Sequence, residues 1–222
     1  GTATFNAVTI NKTYGNSTLT VASGCTLPLG NSPTTKSHIV NNGTITIGTG
    51  TWTHTQNYTH NSGSSLTFSG TAIDINDGSL TLNAGSITAG SWTTLSIERS
   101  LDNTGNVLPN GLNVNFDGAD YDESGTVTCG TATFNAVTIN KTYGNSTLTV
   151  ASNCTATGNF TRTYGTIGNP SSAYTFIIQG NFSMSSSETI GGSNLTLSME
   201  GSSGATMSRT AGTISSPITI NK

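Results

Sequence analysis

Residues 1–23 read GTATFNAVTINKTYGNSTLTVAS, and residues 130–152 repeat that string without a change. A third, partial echo, GTISSPITINK, occupies residues 212–222. Its ending, ITINK at 218–222, restates the VTINK of 8–12 and 137–141. Self-similarity of this kind marks repeat architectures, in which each unit buries its apolar side against its neighbours. Inside the string, Val137 and Ile139, then Leu148 and Val150, alternate with threonine and asparagine. An alternation of period two belongs to a half-buried strand.

The same alternation runs through the chain: Val8/Ile10, Leu19/Val21, Ile45/Ile47, Leu66/Phe68, Ile73/Ile75, Leu80/Leu82, Leu195/Leu197 and Ile218/Ile220. β-Branched threonine suits the intervening outward positions. Turn residues such as Asn42-Gly43, Asp77-Gly78 and Gly191-Gly192 punctuate the strands, and helical periodicity is missing. The reading is all-β, a right-handed parallel β-solenoid (β-helix) with short strands and coils of roughly 20 to 27 residues. Tandem β-sandwich domains are the alternative, but they favour longer strands and a larger aromatic core. Residues 1–129 form a first repeat unit with a divergent acidic loop near 102–123, and residues 130–222 a second that runs into a third at 212–222. The matched ends read as a window on a longer array.

Charged residues are only 8% of the 222, where about a quarter is usual, and threonine alone is about a fifth. Seven basic residues scattered singly make no phosphate-tracking stripe, so nucleic acid is not an expected partner. No apolar run is long enough to span a membrane.

TFNAVTINKTYGNSTLTVAS, the GNFTRTYGTI stretch at 158–167 and the return to ITINK together resemble the long β-strand-repeat, filamentous adhesin-like surface proteins of bacteria and related microbes. That resemblance implies an extracellular or cell-surface location and a stalk or fibre role, with copies of itself or adjacent repeats as partners. It carries over no catalytic residue.

Cys25 and Cys154 stand two residues beyond the two copies, and Cys129 immediately precedes the second. Cys129 and Cys154 are about one coil apart, close enough in a stack to form a disulfide, which would leave Cys25 with a partner outside the chain or in a neighbour. Three buried thiols are the alternative. Asp117, Asp120, Asp122 and Glu123 gather oxygen ligands in FDGADYDE, a candidate calcium loop and the one cofactor the sequence suggests; the alternative is a solvated acidic turn. Trp52, His54, Gln56, Tyr58 and His60 share one face if TWTHTQNYTH is a single strand, and that strip could stack on surface glycans or serve as a packing layer. In that geometry His54 and His60 are too far apart to share a metal.

Thr-x-Thr triplets at 18–20, 44–46, 126–128 and 147–149 suggest an ice-binding ladder, but their sequence spacing wanders. Ten N-x-Ser/Thr sequons follow from the abundance of asparagine and threonine. No nucleophile elbow, paired carboxylates or metal-binding histidine pair appears, so an enzyme is not expected. The expected role is a structural component of an extracellular fibre or cell-surface stalk. An adhesive glycan- or host-surface-binding module is the alternative, and an ice-binding surface the third.

Overall fold

The computed structural model describes residues 17–118, 123–142, 146–201 and 204–221. Val8 and Ile10 lie outside them, as does most of the first copy. Among the described residues every strand pairing is parallel, and the chain winds as a β-solenoid of about 9 turns. Parallel strands cannot be joined by hairpins, so each strand pairs one coil away from itself along the axis. Tandem sandwiches, which need antiparallel sheets, are excluded.

Three sheets form the walls. A ten-stranded sheet takes one strand from each coil, from Thr18–Val21 at one end to Thr213–Ile214 at the other. A four-stranded sheet holds Thr26–Leu29, Thr44–Ile47, Ser65–Phe68 and Ser86–Ala89. A thirteen-stranded sheet forms the third wall and widens in the second half. There the nine-residue strand Thr133–Lys141 pairs first with Cys154–Ala156 and then with Phe160–Tyr164, so both later strand columns join one sheet. Coils vary in length. Ile39 pairs with Tyr58, whereas Leu101 reaches its partner only at Val127, after a longer excursion.

Alternation explains the core. Ile45, Ile47, Ile73, Ile75, Leu95, Ile97, Val137 and Ile139 point inward and are almost wholly buried, while the residues between them face out. Ile218 and Ile220 follow the same pattern but are 42% and 63% exposed, because among the described residues their strand pairs on one side only. Corners need special residues. At Asp77-Gly78 a side chain on Gly78 would strike the Gln56 carbonyl of the preceding coil. Asparagines stack at another corner, where Asn61 Nδ2 donates to Asn42 Oδ1 at 2.8 Å and Asn83 Nδ2 to Asn61 Oδ1 at 2.8 Å.

The stretch 102–123 departs from the expected acidic loop. Leu112–Gly118 is a seven-residue strand in the thirteen-stranded sheet, paired on both sides. Leu112, Val114 and Phe116 point inward there, a pattern that the flanking Asn, Asp, Gly and Pro residues hide in the sequence. Among the described residues the excursion is 103–111, where buried Asn103 accepts from the Val107 and Leu108 amides and Leu108 closes over the core.

Candidate functional site

The strip at 51–60 is not one strand. Thr51–Thr55 belongs to the thirteen-stranded sheet and Tyr58–His60 to the ten-stranded one, with the chain turning between them at Gln56, φ +101°. Trp52, His54, Tyr58 and His60 therefore converge inside the corner, each at most 1% exposed. They cannot stack on a glycan, and the reading of these residues as a surface strip is corrected. Only Gln56 faces outward, and its amide donates to Asp77 at 3.1 Å.

Inside the corner, burial has forced most of the polar atoms to pair, His60 Nε2 excepted. Trp52 Nε1 donates to Thr35 Oγ1 at 3.0 Å, and the Thr35 hydroxyl lies 2.6 Å from His54 Nδ1. His54 Nε2 faces the Asn57 carbonyl at 3.2 Å, which makes Nε2 the donor and leaves Nδ1 to accept from Thr35. Tyr58 OH lies 3.1 Å from His60 Nδ1, and Asn41 Nδ2 donates to the Ser65 carbonyl. Burial lowers the pKa of His54 to about 4, lowers that of His60 and raises that of Tyr58. The cluster is a neutral packing layer. Tyr58 sits between the two histidines, its ring centre 6.2 Å from each, which replaces the extended separation expected of a continuous strand. Among the described residues no group of three or more metal-ligating side chains forms.

The candidate calcium residues divide. Asp120 and Asp122 lie outside the described residues. Asp117 faces outward from its strand, whereas Glu123 is buried and packs against Gly118. Beside them lies a cation that alternation could have flagged: Lys141 continues the inward series Val137, Ile139 and is fully buried. Its ammonium donates to the backbone carbonyls of Glu98 and Asp117 on the preceding coils. Burial lowers its pKa, opposed by Glu123, Asp117 and Glu98. Burial, with Asp74 and Glu98 close by, raises Asp117 to about 6. Lys141 is thus a strut that ties the ends of stacked strands.

Cys129 and Cys154 are joined by a disulfide, with Cα atoms 5.4 Å apart. Cys25, at the matching place beyond the first copy, is free and exposed.

Arg162 is a second buried cation absent from the sequence-derived sites. It follows inward Phe160 and donates to the carbonyls of Gly165, Ser186 and Glu188 at 2.6, 2.9 and 3.0 Å, and to the Glu188 carboxylate at 3.4 Å. Two of those carbonyls come from the next coil. The segment 162–170, RTYGTIGNP, returns at 209–217 as RTAGTISSP. Arg209 keeps the bond to the carbonyl three residues on, that of Gly212, but is itself exposed. It borders an open recess with Met207, Thr213, Ile214 and Ile218.

Compared with known protein families, curated proteins and solved structures, the chain matches none. Among the described residues no helix is long and apolar enough to cross a membrane.

Proposed function

We propose that this chain is a structural segment of an extracellular fibre or cell-surface stalk, without catalytic activity, whose coils stack with adjacent repeats or with other copies of itself into a rod. One observation carries the reading: an arginine recurs on one strand column with the same local chemistry, and its interior copy ties one coil to the backbone of the next. Arg162 and Arg209 sit in the same nine-residue frame, two coils apart on one strand column. The interior arginine donates to carbonyls of the coil above it, and both arginines donate to the carbonyl three residues on. The surface is hydroxyl-rich and sparsely charged, which suits a rod in water. The surface location rests on the resemblance to β-strand-repeat surface proteins and on the disulfide, which an oxidising compartment favours.

Sedimentation velocity across a concentration series tests the association, with electron microscopy of the particles. Elongated rods are expected, with strands across the long axis and a repeat of about 4.8 Å along it. Particles without that repeat would overturn the rod, and a wild-type chain that stays monomeric at every concentration would overturn assembly between copies.

A further inference from the structure

Three outward surfaces of the solenoid differ in chemistry. The thirteen-stranded sheet carries Lys36, Asp74 and Asp117, with Glu98 just past a strand end. Its polar side chains bond to one another: Asn115 to Ser96 at 3.3 Å, Thr163 to Asn140 at 2.7 Å. The ten-stranded sheet interrupts its threonines with His38, Val40 and Asp102. The four-stranded sheet has no charged residue in any of its strands, TLPL, TITI, SLTF and SITA.

Its pairing is in strict register. Thr26, Thr44, Ser65 and Ser86 form one line across the strands, and Pro28, Thr46, Thr67 and Thr88 form a second. The unequal sequence intervals, from 26 to 44 and then from 44 to 65, are absorbed in the turns and leave the lattice regular. Of the Thr-x-Thr triplets only 44–46 lies on this sheet; 18–20, 126–128 and 147–149 lie on the ten-stranded one, so the ladder here is a different set from the one the sequence suggests. Seven hydroxyls project from two parallel lines, about 4.8 Å apart from strand to strand and about 6.6 Å apart along a strand. None of the seven makes a side-chain hydrogen bond within the described residues, unlike the hydroxyls and amides of the thirteen-stranded sheet. Behind them Ile45, Ile47, Leu66 and Phe68 are packed at 0 to 1% exposure, so the backing is rigid.

We propose that this four-stranded sheet is an ice-binding face, its ligand the ordered water lattice of an ice crystal. Ice presents oxygens at regular repeats of this order in two directions, and uncommitted hydroxyls in a fixed array can each meet one. Rigidity removes the ordering cost of binding, and many weak contacts in register add up. Charged groups, which hold hydration shells that do not fit the lattice, are absent from these strands. A crystalline polysaccharide fits less well, because sugar rings are gripped by exposed aromatic planes and the aromatics here, Phe68 and Trp92, are 1% and 8% exposed.

Nanolitre osmometry of the full chain tests this, reading thermal hysteresis and ice-crystal shape. Wild type should shape crystals and hold their growth below the melting point. Thr67→Lys, at the centre of the lattice, should abolish both. Thr81→Lys makes the same change on the ten-stranded sheet and should leave both intact, with the circular dichroism of each variant unchanged. Thr88→Lys, at an exposed position of the last strand, repeats the test should Thr67→Lys fail to fold. Unshaped crystals with wild type, or equal loss in the Thr67 and Thr81 variants, would overturn the proposal. So would retention on insoluble chitin without any effect on ice. End-to-end association plays no part in these readouts, so the two readings fail separately.

Discussion

Burial acts on His54 and Asp117 in opposite directions, and the acid response of the molecule follows from the difference. His54 falls from 6.5 to about 4 on folding, so its contribution is complete above pH 6.5 and is lost as pH falls toward 4. Asp117 rises from 3.8 to about 6, so its ionised form costs stability above pH 6 and that cost is relieved as pH falls toward 3.8. Each effect is on the order of 3 kcal/mol, that of Asp117 reduced by solvent screening at its half-buried site. They largely cancel between pH 6 and 4, with His60 adding to the side of His54. Melting curves of Asp117→Asn should therefore show a steep fall in Tm as pH drops from neutral toward the lowered His54 value, where wild type changes little. A variant profile as shallow as that of wild type would contradict the account. Neither shift is legible from residue type. Sequence alternation put His54 on the same side as Trp52, but whether that side meets solvent or core is decided by the turn at Gln56.

Strands and corners hold one another through the axial stack, and the disulfide adds a covalent tie between two neighbouring coils. Cys129 and Cys154 flank the second copy of the repeated string, and the four-stranded sheet has ended before this point. Closing a 25-residue loop restricts the unfolded chain and stabilises the fold by about 3 kcal/mol. Calorimetry with and without reductant should show a fall in Tm, which Cys129→Ser reproduces and Cys25→Ser does not. An unchanged Tm on reduction would remove the disulfide from the list of stabilising elements. Strand identity was legible wherever two apolar residues alternate cleanly, as at Ile45/Ile47 and Leu195/Leu197. It was hidden at Leu112–Gly118, where the outward asparagines and aspartate resemble loop residues.

Along the whole molecule each coil touches only its neighbours, so stability is a sum of local interfaces. Interior coils are covered on both sides, whereas Met207–Arg209 and Ile218–Ile220 form ladders on one side only. Hydrogen exchange of the monomer should be fast in those two strands and slow in Thr94–Ile97 and Val137–Ile139. Uniform protection along the axis would indicate a single cooperative block and would contradict nearest-neighbour stacking. The buried cations act at this scale as well: Lys141 and Arg162 each tie carbonyls of other coils, so the charge of one coil is satisfied by the backbone of another.

By itself the sequence determined the all-β class, because period-two alternation with β-branched outward residues fits only strands, while the parallel pairing decided for a solenoid over tandem sandwiches. It also placed Cys129 and Cys154 one coil apart. Tertiary structure alone decided which faces are solvent and which are core, since alternation names two sides of a strand without saying which is covered. That is why the aromatic strip lies inside, why Lys141 and Arg162 are buried, and why Thr26, Thr44 and Ser65, unevenly spaced in the chain, fall on one line of the four-stranded sheet. Register is set by hydrogen bonds between coils, and the turns take up the difference in length.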